Sequence, residues 1–455
     1  MWYASRRTYS RWTTKWALAA IVAAVAVAGL NACGKASSPT QPVSAAPAAF
    51  HPVKQDSSAP ITVWVDSTRL PGVQEYQKTH PNVKLNIVTY DGDPVDSSYL
   101  QAKIELYTRA GSGWPDVVFS QQYNEITWST QPGTDWVAPL NQGLVPQSTL
   151  DNFAPTTLAP CTSGGVVYCL RNDIGQNVLW YNSTLMKRFG YTVPTTWEQY
   201  EALGAQVAKQ HPGYIIGDVG DVYTPEVYFW AGQCPANQVN GNTVSVNTSD
   251  PNCTRMAKLL DAGVANKSIT TVSAVDNSFV KPYAAKTLML IAPSWFGQYV
   301  FDQALHVPTG EIAAAAPPKW AGQATPTTGD VGGGTWMVSR YSKNLAAAAA
   351  LVEYMSTADA YQVTAPTYPA YRPAATAWLT AQAKQRYFAA DVSSVFAQAA
   401  SEIWGGWGTA RYNQESIWAT TMVPQLVDGK TILSLLGTWQ TAIENQARSA
   451  GYRVR

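Results

Sequence analysis

The chain has 455 residues, of which 13% are charged, and its formal net charge is only +1. So even a balance, against about 25% charged residues in ordinary soluble proteins, excludes the basic surface that nucleic-acid binding demands. Its 18 Trp and 24 Tyr suit recognition of neutral polar ligands, although core packing must claim most of these rings.

The first elements are not part of a folded body. Met1 to Lys15 carries Arg6, Arg7, Arg11 and Lys15 and no acid, and Trp16 to Leu30 is an uncharged run of 15 residues. A basic region, a short apolar run and small residues together predict a secretory signal over residues 1–32. The run is short of the roughly 20 residues that span a bilayer. Leu30-Asn31-Ala32-Cys33 resembles a bacterial lipobox, which makes Cys33 the lipidation site, and Arg6-Arg7 resembles a twin-arginine export signal. Residues 33–59, rich in Ala, Pro and Ser, are expected to be a flexible tether.

The body from Pro60 to Arg455 is too long for one ordinary core, so two lobes are expected. Ile61–Val65 and Val83–Val88 alternate as strands, and Leu70–His80 between them is a plausible helix. Val117-Val118-Phe119 reads as a strand buried on both faces. Thr195-Thr196-Trp197-Glu198 has the form of a capping box, with Thr195 as cap and Glu198 reaching back. Trp197, Tyr200, Leu203 and Val207 follow at helical spacing, and Asn344 is placed to cap a helix through Leu345, Ala348, Val352 and Met355. The alternation indicates an α/β fold with mostly parallel sheets.

Apart from Cys33 there are four cysteines, Cys161, Cys169, Cys234 and Cys253. An even count in an exported chain predicts two disulfides; three pairings are possible, and the local one is the simplest. Neither spacing gives the CxxC pair of a zinc site, and no metal or cofactor is expected. The four histidines are isolated, and no HExxH, P-loop, GxSxG or GxGxxG motif occurs. Catalysis therefore has no support in the sequence.

Five segments in order then resemble one family, the carbohydrate-type, maltose-binding-like solute-binding lipoproteins of ABC importers. They are GWPDVV at 113–118, NVLWYN at 177–182, LMKRFGYTVPTTWEQYEAL at 185–203, PSWFG at 293–297, and GDVGGGTWMVSRYSKNLAAAAALVEYMST at 329–357. The resemblance implies two α/β lobes, 60–171 plus 333–372 and 172–332 plus 373–455, with a ligand cleft between them. Chain crossovers would fall near Leu170–Asp173, Gly329–Gly334 and Arg372–Ala374.

Sugar rings rest their C–H faces on aromatic rings and offer hydroxyls to directed polar groups. Carried over on that basis, the cleft candidates are Gln121, Tyr123, Asp173 and Gln176, the tryptophans Trp230, Trp295, Trp336, Trp404 and Trp407, and Arg411. At Arg411 the family's following proline is replaced by Tyr412. Arg372 would tie the hinge or touch ligand, and Asp116 would be a structural turn residue. The implied function is a monomeric substrate-binding protein, lipid-anchored on the outer face of the cytoplasmic membrane, that delivers a sugar or oligosaccharide to ABC permease subunits. A receptor of the same fold for a glycerophosphodiester or peptide, and an exported glycosidase, are the alternatives.

Overall fold

The computed structural model describes residues 49–94, 97–154 and 156–455, all within the compact unit Pro47–Arg455. The signal segment, Cys33 and most of the tether lie outside the described residues.

The chain begins its first lobe with β1 (Ile61–Val65), α1 (Leu70–Thr79), β2 (Leu85–Thr89), α2 (Tyr99–Ala110) and β3 (Val117–Ser120). Each helix carries the chain back over the sheet, so β1 pairs in parallel with both β2 and β3, with Val63 opposite Val117. Short strands β4 (Cys169–Arg171) and β5 (Asp173–Ile174) then lead to β6 (Asn177–Asn182) in the second lobe. That lobe continues through α3 (Trp197–Gln210), α4 (Pro251–Asn266), β7 (Met289–Pro293) and β8 (Ile312–Ala315). The chain returns as β9 (Thr335–Val338) and α5 (Leu345–Thr357), turns through β10 (Tyr368–Pro369) into α6 (Arg372–Gln382), and ends with α7 (Gln414–Thr421) and α8 (Ile432–Ser449).

The first sheet has the order β2-β1-β3-β9-β4. One returning strand breaks the parallel pattern: β9 runs antiparallel to both β3 and β4. In the second lobe β6 lies between β7 and β8 and is antiparallel to each. Parallel pairing occurs in both lobes, in the second only as two-residue pairs such as Ile269–Thr270 with Gly217–Asp218, and is less than the strand–helix alternation implied. The reason is connectivity: both lobes are made of discontinuous pieces, so neighbouring strands need not follow one another through a helical crossover.

Tryptophans anchor both cores. Trp180 in β6 is fully buried against Phe301, Phe388 and Phe396, and its indole N–H donates to the Pro293 carbonyl at 3.0 Å. Trp439 of α8 packs edge-on to Trp418 of α7 at 5.3 Å. Two disulfides, Cys161–Cys169 and Cys234–Cys253, adopt the local pairing. Each closes a short loop, worth about 2–3 kcal/mol by loop-closure entropy.

Three local expectations are corrected. The capping box of α3 uses Thr196 and Gln199, one residue later than expected; Glu198 instead accepts from the Ala321 N–H. Asn344 precedes α5, but its amide donates back to the Ser57 and Ala59 carbonyls. The first N–H of α5 is satisfied by Gln55 Oε1, from a segment expected to be free tether. Residues from Phe50 to Ala59 in fact dock on the first lobe, with Phe50 N–H donating to Gln142 and Asp56 N–H to the Lys343 carbonyl.

Asp116 exchanges bonds with the start of β1, its carboxylate accepting from the Thr62 N–H at 2.8 Å. Arg372 donates to the carbonyls of Asp151 and Asn152, tying α6 to the loop before the first disulfide.

Candidate functional site

Where the chain passes between lobes, the strands β5 and β10 pair, and Gln176 forms a bridge with Asp330. Glycine allows this close packing. A Cβ on Gly175 would lie 2.0 Å from the Val331 carbonyl oxygen. Gly333 has a φ of +86°, and a Cβ there would meet the Arg171 guanidinium at 2.0 Å. Arg171 is the bolt of this region: it donates to Asp330 Oδ2 at 3.2 Å, to the Gly332 carbonyl at 3.2 Å and to the Asp173 carbonyl at 3.2 Å. Burial raises the Asp330 carboxyl, while Arg171 and the Gly175 N–H act in the opposite direction.

Above these crossovers lies a cavity of about 320 Å³. The first lobe contributes Thr68, Arg69 and Gln121, from loops at the carboxyl ends of β1 and β3. The second contributes Tyr223, Trp295 and Tyr299, and the crossovers supply Asp173 with Gly332, Gly333 and Gly334. Such loops gather ligand-facing groups because a strand end is where backbone and side chains leave the packed layer. The volume is at the lower end of small-molecule pockets, which run from about 300 Å³ upward.

Charge in the cavity is paired. Arg69 donates to Asp66 Oδ2 at 3.1 Å and to Asp173 Oδ2 at 3.3 Å, and its guanidinium sits 4.6 Å over the Phe119 ring. Burial works against that cation, but Asp173 and Asp66 more than offset it and hold it protonated. Asp173 Oδ1 also accepts from the Gly334 N–H at 2.8 Å and from the Asn172 amide at 3.0 Å. The carboxylate is therefore fixed in direction before any ligand arrives.

Trp295 lies just past the end of β7, half-buried, and its indole N–H donates to the Val331 carbonyl at 3.1 Å. Tyr223 meets its ring nearly edge-on at 5.7 Å. Gln121, Asp173 and Trp295 are the sequence candidates that share this cavity. Tyr123 lies further in, half-buried, with the Arg171 guanidinium 5.6 Å from its ring centre.

Other candidates are placed elsewhere. Gln176 is fully buried in the first crossover, donating to the Phe396 carbonyl and accepting from Ser294. Trp336 is fully buried as well, inside β9 against Phe119, and has no face left for a ligand. Its indole N–H donates to Asn172 Oδ1 at 3.0 Å, so it orients the residue that holds Asp173. Trp230 and Trp407 stack on each other at 5.3 Å and are nearly buried; their N–H groups donate to the Trp404 and Cys234 carbonyls. Trp404 is half-buried beside them. Arg411 donates to the Ala450 carbonyl and lies 4.8 Å over Tyr452, lining a separate hollow of about 310 Å³ with Thr127 and Ser163 from the other lobe.

Sequence reasoning missed Thr68, Arg69, Tyr223 and Tyr299. Arg69 had a usable signal: Asp66-x-x-Arg69 follows directly on a strand, where cleft loops begin. Among the described residues no cluster of His, Cys, Asp and Glu could hold a metal ion, and no helix is long and apolar enough to cross a membrane.

The fold is shared with solved structures, two of which were determined with a bound sugar. The galacto-N-biose/lacto-N-biose I-binding protein of an ABC transporter from Bifidobacterium longum, in complex with lacto-N-biose, superposes with a TM-score of 0.72 at 19% identity, covering 88% of this chain and 100% of that one. The ABC-transporter-associated binding protein of B. animalis subsp. lactis, in complex with beta-1,6-galactobiose, gives 0.70 at 18% identity, covering 87% and 99%. In sequence, the arabinooligosaccharide-binding protein of Bacillus subtilis is 29% identical over 144 residues, 30% of this chain and 31% of that protein. The chain thus matches about a third of the length of that relative. Residues 62–362 match the family described as bacterial extracellular solute-binding protein, and the two-lobe fold with its crossovers and cavity is in keeping with that match. The chain belongs to the bacterial extracellular solute-binding protein family.

Proposed function

We propose that this protein is the sugar-capturing receptor of an ABC importer, held outside the cytoplasmic membrane by a lipid on Cys33, acting as a monomer and without catalysis. The observation that carries the reading is the interlobe cavity, in which a half-buried indole, Trp295, stands across from a fixed carboxylate, Asp173, and an amide, Gln121. A sugar ring needs an apolar face to rest on and directed partners for its hydroxyls, and this cavity offers both. The division into 60–171 plus 333–372 and 172–332 plus 373–455 is supported by strand membership, with β9 and β4 in the first sheet and β6 to β8 in the second.

The relatives named above, which bind beta-1,6-galactobiose, lacto-N-biose or arabinooligosaccharides, support sugar as cargo. An anionic cargo such as a glycerophosphodiester finds less support. The arginines nearest the cavity, Arg69 and Arg171, are already paired with Asp66, Asp173 and Asp330. No observation favours a glycosidase.

The test is a thermal-shift screen against mono- and oligosaccharides, including arabinooligosaccharides and beta-1,6-galactobiose, with recovery of the ligand afterwards. Ligand at 100 times its Kd stabilises by about 2.7 kcal/mol, enough for a clear rise in midpoint. A selective rise with intact ligand supports the receptor. Cleaved sugar would replace it with an enzyme, and a flat panel would remove sugar as the cargo.

A further inference from the structure

Apart from the cavity, a second set of polar groups is packed together. Glu226 lies on the π-helical segment Pro225–Trp230 of the second lobe, is 1% exposed, and its Oε2 finds no hydrogen-bond donor. It makes no ion pair among the described residues. The segment packs on α7, with Phe229 against Trp418 at 5.7 Å, and this brings Glu415, 4% exposed, beside Glu226. Gln414, next in the chain, has neither end of its buried amide paired.

Across the gap the first lobe supplies Tyr123, near enough to feel both glutamates. Its neighbour Gln122 accepts from Asn413 Nδ2 at 3.3 Å, and Asn413 caps α7 two residues before Glu415. The lobes therefore touch where the acids lie. The charged or titratable groups facing Glu226 are Glu415 from α7, Asp221 from the loop ahead of its own segment, and Tyr123 from the first lobe. Beyond Tyr123 lies the Arg171–Asp330 pair, whose cation is already spoken for. Burial pushes the Glu226 carboxyl well above the usual carboxylate range, and the neighbouring Glu415 adds to that.

We propose that closing the cleft takes up a proton at Glu226, so that acid favours the closed receptor. This rests on the reading that the lobes open and close around a ligand. In an open form Tyr123 withdraws and water reaches the acids, so the burial that penalises the charged Glu226 carboxylate is relieved. In the closed form the charged carboxylate is the costly state and the neutral acid the stable one. The bound proton's help to closure is complete below the open-state value and fades as pH rises through the raised, closed-state value. Between those limits the open–closed equilibrium moves by up to about tenfold per pH unit.

The experiment uses the protein without ligand and the proton as the probe. Small-angle X-ray scattering across pH 5 to 8.5 is expected to give a radius of gyration that grows as pH rises. Glu226→Gln, which mimics the neutral acid, is expected to stay compact throughout. A radius that does not change with pH in the wild type overturns the proposal, as does a Glu226→Gln protein that titrates like wild type. If that variant does not fold, Glu415→Gln replaces it; it must move the transition to lower pH, and an unmoved transition overturns the proposal. The carbohydrate screen at one fixed pH tests the receptor separately, so failure of one idea is distinct from failure of the other.

Discussion

Two tryptophans that look alike in the sequence have opposite situations in the structure. Trp295 and Trp336 each stand in a family-like segment, each close to a strand and a glycine. Trp295 lies two residues beyond the end of β7, where the chain has left the sheet, and it borders the cavity. Trp336 is the second residue of β9, paired on one side with Phe119 and on the other with Leu170. A side chain in a strand with neighbours on both edges and cover on both faces belongs to the core, whatever its chemistry. Position relative to the strand end, more than residue type, separates a ligand-facing aromatic from a packing one.

That contrast can be broken by four substitutions. Trp336→Ala should have the largest effect, a loss of about 3–5 kcal/mol of stability from the cavity left in the core, read by denaturant unfolding. A stable variant with damaged sugar binding would reverse the assignment. Asp173→Asn keeps an acceptor for the Gly334 N–H but removes the charge that faces Arg69. Breaking such a buried pair should cost roughly 3 kcal/mol, again read by unfolding, and a neutral result would mean that Asp66 alone suffices for Arg69. Trp295→Ala should leave the unfolding midpoint nearly unchanged and weaken sugar affinity by about 30-fold, as expected for a hot-spot aromatic. Unfolding, or undiminished affinity by calorimetry, would count against it. Gln121→Ala should show the smallest effect, about a three- to tenfold weaker affinity, since its amide also serves the Asp91 carbonyl.

Much of the architecture was legible because it depends on local patterns and ordered motifs. The strand at Val117, the helices at Leu70 and Trp197, the even cysteine count and the five family-like segments all survive in the fold. What escaped was decided by distant partners. Thr195 and Thr196 are equally good caps by sequence, and the choice fell to Thr196 because Glu198 is drawn to the Ala321 N–H. Gln55 caps a helix start 290 residues away, which no window of sequence contains. Arg69 escaped because one arginine after a strand has no periodicity to mark it. Trp336 and Gln176 were proposed from their place in the crossovers, but a crossover has a buried side as well as a cleft side.

The placement of β9 between β3 and β4 bears on the order in which the molecule matures. Until Thr335–Val338 arrives, the first sheet is split, with the open edges of β3 and β4 facing each other across an unfilled gap. Synthesis at about 5–20 residues per second leaves that gap unfilled for on the order of ten seconds or more. Over that interval the strands β6 to β8, which come from one continuous stretch, can pair, while α7 and α8 of the same lobe are still to follow β9. The first sheet thus waits for a strand made late in the chain, and its unpaired strands are where premature aggregation would start. A chaperone that covers those edges would protect this protein more than any stabilisation of its finished core.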